Sequence, residues 1–208
     1  MSPLSPPEAF TRPGAHWRIE HFLGNDLVET LLSYVEANQS AFVPTTVTNT
    51  KGMCVNPNKR VSLGLRDFGV LRDALEERFR AVMNEAVETL RLKPFGLKRL
   101  EMELVAHGDG AFFHTHIDTQ TGAADDKSFR ALSAVLYFHT LPKGYQGGEL
   151  RIHSLVPATE GGRFIDIIPG RDTLLLFPAW LPHEVLPVSC DSGDFMDSRF
   201  AINCWFRR

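Results

Sequence analysis

The second half of the chain, from Leu97 onward, reads as a series of short strands separated by turns, with no further helical period of useful length. Short strands of this kind cannot bury an apolar face alone, so they must pack as two sheets or close into a barrel. The eight predicted strands are 97–106, 112–118, 132–139, 149–153, 163–168, 173–177, 183–188 and 199–206. This series follows two amphipathic helices and predicts an α+β, mainly β fold. We expect a double-stranded jelly roll with the N-terminal helices packed on one sheet.

The first half of the chain supplies the helices. Apolar residues recur at helical spacing over 25–38 and again over 70–92, where Pro94 ends the second pattern. Residues 17–22 alternate like a first strand, and 41–59 predict an irregular segment with a single strand. The predicted organisation is a proline-rich arm at 1–14 and one domain at 15–208, which divides into a helical support region, 15–96, and a jelly-roll core, 97–208.

Composition limits the function classes. The chain has 208 residues, 43% of them hydrophobic, which is enough for one domain with a core. Its net charge of −3, with both signs interspersed, argues against nucleic-acid binding, which needs a concentrated basic face. No apolar run reaches the length of a bilayer span, and the three scattered cysteines read as reduced thiols. These features predict a cytoplasmic protein without a membrane partner, and they leave the oligomeric state open.

The chemistry is concentrated in the stretch 107–118, HGDGAFFHTHID. In a regular strand Phe112, His114, His116 and Asp118 would share one face. An imidazole two residues before a carboxylate offers one nitrogen and one oxygen to the same ion. A third ligand from elsewhere would complete the facial set of the non-haem Fe(II) oxygenases. A histidine and an aspartate at a strand end also form simple ion pairs, so the interpretation depends on a third ligand.

His183 is the strongest candidate for that ligand. It follows a buried strand turned by Pro178 and Pro182 and begins the next strand, where a side chain can be directed inward. A single histidine in such a place is more often a hydrogen-bonded structural residue. Its value therefore comes from its combination with the pair His116 and Asp118.

The last strand adds a positively charged residue, Arg199, to the candidate site. Alternation in the last strand places Arg199, Ala201, Asn203 and Trp205 on one face. A buried guanidinium needs an anionic partner, and a dicarboxylate co-substrate would supply one in bidentate fashion. Alternatively, Arg199 pairs with an aspartate of the loop 189–198.

Taken together, these segments resemble the 2-oxoglutarate and Fe(II)-dependent oxygenases, in particular the prolyl 4-hydroxylase-like branch. The resemblance covers residues 97–208, and the order and spacing of its motifs make it specific. The motifs are His116-Ile-Asp118, the strand 130–139, Gly147-Gly-Glu-Leu-Arg-Ile152, Leu176-Phe-Pro178, His183-Glu-Val-Leu-Pro-Val188 and Arg199-Phe-Ala-Ile-Asn-Cys-Trp205.

The resemblance implies a role for each matched position. His116, Asp118 and His183 would ligate iron, and Arg199 with Tyr137 would bind the distal carboxylate of 2-oxoglutarate. His107 stands where the family often has a tyrosine and is assigned to the co-substrate. The spacing from His183 to Arg199 is longer than usual by one short loop. The positions assigned to substrate are Arg130, His114 and Trp205.

The implied cofactors are Fe(II), 2-oxoglutarate and O₂, with ascorbate as a candidate reductant. The implied activity is hydroxylation of an unactivated C–H bond, with succinate and CO₂ as co-products. The resemblance favours a prolyl residue in a protein or peptide as substrate, and a free or carrier-bound amino acid is the alternative.

A different class of function is a non-catalytic, cupin-like metal-binding module. Gly108, His114 and His116 partly match the first cupin motif, Gly-x₅-His-x-His. The glutamate that should follow is missing, however, and no histidine stands at the position required by the second motif. The two long polar loops 119–130 and 189–198 adjoin the ligand strands and are candidate lids.

Overall fold

A computed structural model describes residues 7–49, 52–119 and 129–208. Within these ranges the helices are α1 Glu8–Thr11, α2 Asn25–Ala37, α3 Arg72–Ala81 and α4 Met83–Thr89. The strands are β1 Trp17–Glu20, β2 Val43–Pro44, β3 Val47–Asn49, β4 Gly52–Cys54, β5 Arg60–Val61, β6 Leu63–Leu65, β7 Arg99–His107, β8 Phe112–His116, β9 Arg130–Phe138, β10 Gln146–Gly147, β11 Leu150–His153, β12 Phe164–Ile167, β13 Thr173–Pro178, β14 His183–Val185, β15 Val188–Ser189 and β16 Arg199–Arg207.

Two antiparallel sheets form the body of the fold. The large sheet has the strand order β1-β13-β9-β16-β7-β6-β2, and the small sheet has the order β12-β11-β14-β8-β5. Two short pairs, β3 with β4 and β10 with β15, lie outside them. Strands distant in sequence lie side by side in both sheets, which is the topology of a jelly roll, so the predicted fold class is confirmed.

The large sheet has a different apolar layer on each face. On one face, Phe200 and Ile202 belong to the same buried cluster as Leu75 and Phe79 of α3. On the other face, Ala201 belongs to a second buried cluster with residues of the small sheet such as Ile152. Because side chains alternate along β16, the face that carries Ala201 also directs Arg199 away from the helices and toward the small sheet.

The sequence predicts one helix over 70–92. The predicted buried face is correct, but the segment forms two helices, α3 and α4, and not one. Leu75, Phe79 and Ala86 are fully buried, as predicted. The segment nevertheless breaks at Val82, whose φ of −90° and ψ of −3° separate α3 from α4. The sequence has neither proline nor glycine at this point, so it does not predict the break.

The predicted strand 183–188 is also divided. It splits into β14, which pairs with β8 and β11, and β15, which pairs with β10. Pro187 lies between the two strands and has no N–H to continue a ladder.

The region 15–96 contributes strands as well as helices. β1 forms one edge of the large sheet, and β5 forms one edge of the small sheet. The division into a support region and a core therefore stays a prediction. Of the predicted arm, residues 1–6 lie outside the described ranges, whereas Thr11 accepts a main-chain hydrogen bond from Arg163. No helix within the described residues is long and apolar enough to cross a membrane.

Candidate active site

The structure brings His116, Asp118 and His183 together. His116 at the end of β8 lies directly opposite His183 on β14. Asp118 follows β8 and is held by its N–H, which donates to the carbonyl oxygen of Ala179 over 2.9 Å. One donor atom of each of the three lies within 4.8 Å of the others, and this is the one such cluster among the described residues. Two imidazoles and a carboxylate in this arrangement can bind one metal ion on one side.

Each imidazole is oriented by the carbonyl oxygen of the residue two positions before it in the chain. His116 Nδ1 lies 2.9 Å from the carbonyl oxygen of His114, and His183 Nδ1 lies 2.8 Å from that of Leu181. A carbonyl oxygen can only accept, so both Nδ1 atoms carry the proton and both Nε2 atoms are free for a metal. The Nε2 atoms lie 3.8 Å and 3.5 Å from the two oxygens of Asp118. Burial and the neighbouring His183 lower the pKa of His116 to about 3, so this ring is neutral.

The Asp118 carboxylate is buried and charged. Burial raises the pKa of Asp118, but His183 and His116 in their protonated forms, Arg130 and the Ser133 hydroxyl lower it, and the net shift is below the ordinary value. Ser133 on β9 donates a hydrogen bond of 2.6 Å to Oδ2. This contact fixes the carboxylate between the two sheets.

A bulge in β8 changes which residues face the cavity. His116 pairs with His183 and Phe113 pairs with Val185, so three residues of β8 span two of β14. Phe113 therefore stacks on the His116 ring, with centroids 3.6 Å apart, and lines the same cavity. The prediction that His114 shares the ligand face is wrong, because the extra residue turns His114 to the exposed side.

Arg199 lies in the same cavity as the ligand cluster. It is 1% exposed and lies opposite His107 in the pairing of β16 with β7. Its Nε donates to the carbonyl oxygen of Gly148 over 2.7 Å, and its Nη1 donates to His107 Nδ1 over 3.3 Å. Within the described residues no carboxylate lies within salt-bridge distance of this guanidinium. The alternative pairing with an aspartate of the loop 189–198 is therefore not seen.

Several buried donors around Arg199 have no hydrogen-bond partner within residues 7–49, 52–119 and 129–208. Arg199 Nη2, Tyr137 Oη and His107 Nε2 are buried without a hydrogen bond among the described residues. His107 accepts at Nδ1, so its Nε2 carries a proton and is a donor. Burial, Arg199 and Arg60 lower the pKa of His107 well below the ordinary value, so this ring is neutral. Unpaired buried donors beside a buried cation fit an anionic group such as a carboxylate.

The residues assigned to substrate lie in different surroundings. The guanidinium of Arg130 lies 3.7 Å above the Trp205 ring and is bound by Glu101, while its Nη1 lies 4.0 Å from Asp118 Oδ1. Trp205 lines the cavity. His114 does not, and its ring lies beside Phe112 with centroids 4.5 Å apart.

Sequence reasoning missed Arg60 and Ser133. Arg60 on β5 is buried in the cavity wall, where it binds Glu103 and lies 4.9 Å above the Phe113 ring. The pattern around it is irregular, and only the pairing of β5 with β8 brings it to the site. Ser133 could have been found from the strand 130–138, because alternation places it on the same face as Val135 and Tyr137.

Of the two loops proposed as lids, the first is only partly described and the second is fully described. Residues 120–128 of the first loop lie outside the described ranges. In the second loop, Phe195 packs edge-on against Phe42 and Phe200, with centroids 5.1 Å and 5.3 Å apart. This packing ties the second loop to the helix side of the large sheet.

Comparison with known proteins agrees with this geometry. Over 205 residues the chain is 26% identical to an uncharacterised PKHD-type hydroxylase of Synechocystis sp., covering 97% of this chain and 66% of the relative's own length. A prolyl-4-hydroxylase of Pseudomonas putida is similar in structure, with a TM-score of 0.67 and 25% identity over 94% of this chain and 93% of that one. A prolyl hydroxylase of Trichoplax adhaerens, solved with a hypoxia-inducible-factor peptide fragment, has a TM-score of 0.64 and 22% identity over 92% and 82% of the two chains. The sequence model of the 2OG-Fe(II) oxygenase superfamily, where 2OG is 2-oxoglutarate, matches residues 102–207, and the chain belongs to that family.

Proposed function

We propose that the protein is an Fe(II)- and 2-oxoglutarate-dependent dioxygenase that hydroxylates an unactivated C–H bond of a prolyl residue in a protein or peptide. In this reaction O₂ supplies one oxygen atom to the substrate and one to succinate, and CO₂ leaves from the keto acid. The observation that carries the proposal is a single cavity, which is lined by His116, Asp118, His183 and Arg199.

The residues fit the family's cofactors. His116, Asp118 and His183 would hold the metal ion, and a set of three protein ligands would leave it able to bind 2-oxoglutarate and O₂. Arg199 Nη2, Tyr137 Oη and His107 Nε2 are buried donors with no partner in the part of the chain that the structure describes, and a distal carboxylate would satisfy them. When both are bound, Fe(II) and 2-oxoglutarate supply the oxidising chemistry, while the protein positions the reacting groups. A cupin-like module has no use for the buried donors around Arg199.

The walls of the cavity restrict what can approach the metal. Val135, Leu150 and Val185 contribute apolar side chains between the sheets, and Trp205 closes one side. Apolar walls exclude bulk water from the site and so suppress side reactions. Arg130 is bound by Glu101, lies over Trp205, and has its Nη1 4.0 Å from Asp118 Oδ1, which supports the proposal that it contacts substrate.

A prolyl substrate is supported by the named relatives. The Pseudomonas putida enzyme is a prolyl-4-hydroxylase, and the Trichoplax adhaerens enzyme was solved with a peptide fragment. A free or carrier-bound amino acid is the alternative within the same reaction class. A cytoplasmic location and the absence of a nucleic-acid partner stay predictions from composition.

The substrate class can be tested directly with purified protein, Fe(II), 2-oxoglutarate and air. One panel contains proline-containing peptides with matched peptides in which proline is replaced by alanine, and a second contains free amino acids. We expect a proline peptide to gain one oxygen atom with wild type but not with Asp118→Ala, as measured by mass spectrometry. Oxidation of free amino acids alone would refute the peptide assignment and leave the dioxygenase assignment standing.

A further inference from the structure

Four buried polar side-chain atoms lack a hydrogen-bond partner within the described residues: Arg199 Nη2, His107 Nε2, Tyr137 Oη and Tyr145 Oη. The first three belong to the proposed co-substrate site. Tyr145 is 3% exposed, and neither the motifs nor the family resemblance assigns it a role. An unpaired buried hydroxyl is costly, so its presence in the same part of the fold needs an explanation.

The pairing of β10 with β15 holds the segment that carries Tyr145 beside Arg199. Gly147 pairs with Val188, and Tyr145 packs against Val188 in a small buried cluster. The next residue, Gly148, accepts from Arg199 Nε and lies so close that a Cβ at this position would be 2.5 Å from Arg199 Cδ. The segment that carries Tyr145 is therefore in direct contact with the Arg199 side chain.

The ring of Tyr145 is fixed on two sides. It lies edge-on to His139, with centroids 5.9 Å apart, and Lys143 Nζ lies 4.2 Å from its centroid. Burial raises the pKa of Tyr145 to about 12 against the opposing charge of Arg199, so the hydroxyl is neutral. A neutral hydroxyl can donate a hydrogen bond to an anion.

We propose that Tyr145 is a fourth donor to the distal carboxylate of 2-oxoglutarate, beside Arg199, Tyr137 and His107. A carboxylate offers about four lone-pair sites on its two oxygens, so it can accept from several of the donors that have no partner within the described residues. Tyr145 is then a binding and specificity residue, because a keto acid without the distal carboxylate leaves all four donors unsatisfied. This inference rests on the proposed function.

The test is calorimetric titration of keto acids into Fe(II)-loaded protein without oxygen, which needs no turnover. Two probes are compared: 2-oxoglutarate, and 2-oxobutanoate, which lacks the distal carboxylate. Tyr145→Phe keeps the ring packing and removes only the hydroxyl. The matched control is Tyr34→Phe, since Tyr34 lies on α2 and packs against the helix-side core.

We expect Tyr145→Phe to weaken 2-oxoglutarate binding by about tenfold or more and to leave 2-oxobutanoate binding unchanged. Tyr34→Phe should leave both affinities unchanged. Unchanged 2-oxoglutarate affinity in Tyr145→Phe would overturn the inference, as would equal weakening of both keto acids, which would indicate a structural role. If wild type itself does not bind 2-oxoglutarate, the proposed function fails together with the inference.

Discussion

The hydrogen bond from Ser133 to Asp118 gives a sharp prediction, because it acts on a ligand without touching the metal. Ser133 is 1% exposed on β9, and its hydroxyl lies 2.6 Å from Asp118 Oδ2. Ser133→Ala removes one oxygen atom and leaves the carboxylate without this donor. A hydrogen bond to a charged group contributes roughly 1.5 to 3 kcal/mol, and loss of such a partner commonly weakens metal binding about tenfold to hundredfold.

We therefore expect Ser133→Ala to bind Fe(II) roughly tenfold to hundredfold more weakly than wild type. The assay is competition with a chelator in the absence of oxygen, with thermal unfolding as a check on folding. Ser154→Ala is the matched control, because Ser154 is also buried and donates a short bond, 2.7 Å long, to the carbonyl oxygen of Val156. An Fe(II) affinity within about twofold of wild type would refute the argument that this hydroxyl orients a metal ligand.

Three further predictions concern the co-substrate pocket, pH and the core. Gly148→Ala should lower the affinity for 2-oxoglutarate by about tenfold or more, because φ at Gly148 is +68° and an added Cβ would lie 2.5 Å from Arg199 Cδ. Gly96→Ala is the control and should leave this affinity unchanged, because a Cβ at Gly96 meets nothing within 4 Å. The pKa of buried His107 is lowered in the folded protein. Below about pH 6.5 this side chain therefore binds a proton in the unfolded chain but not in the folded one, and the folded protein loses stability as pH falls. Urea unfolding of metal-free protein should show a smaller loss of stability at acid pH in His107→Gln than in wild type, by up to about 1.4 kcal/mol per pH unit. Equal pH slopes in the two proteins would contradict this. Phe79 is fully buried on α3, so Phe79→Ala should lower the free energy of unfolding by about 3 to 5 kcal/mol. Val70 is 94% exposed, so Val70→Ala should leave the free energy of unfolding unchanged. A loss below about 1 kcal/mol for Phe79→Ala would be inconsistent with its place in the core.

The strands of the jelly roll could be predicted because alternation and turn residues both mark them. The predicted strand 199–206 corresponds to β16 at Arg199–Arg207, and the predicted 149–153 corresponds to β11 at Leu150–His153. Both segments alternate regularly between buried faces. Val82 shows the limit, because a local break in a helix depends on packing against the sheet and leaves no mark in the pattern.

The ligand cluster was predictable only through the motif. Nothing local in the sequence says that His183 lies opposite His116, because that pairing depends on the order of strands in the small sheet. The bulge in β8 likewise depends on the pairing, and it moves His114 out of the cavity and Phe113 into it. Arg60 could not be predicted because it reaches the cavity through the pairing of β5 with β8.

The most direct test of the central claim is formation of succinate from 2-oxoglutarate under air with added Fe(II). Wild type, Asp118→Ala and Arg199→Ala are compared, first without substrate and then with the peptide panel. We predict slow turnover by wild type that rises with a matching substrate and that either substitution abolishes. If no succinate forms under any condition although the metal binds, the assignment of Arg199 to the co-substrate is wrong and the protein is better described as a metal-binding module.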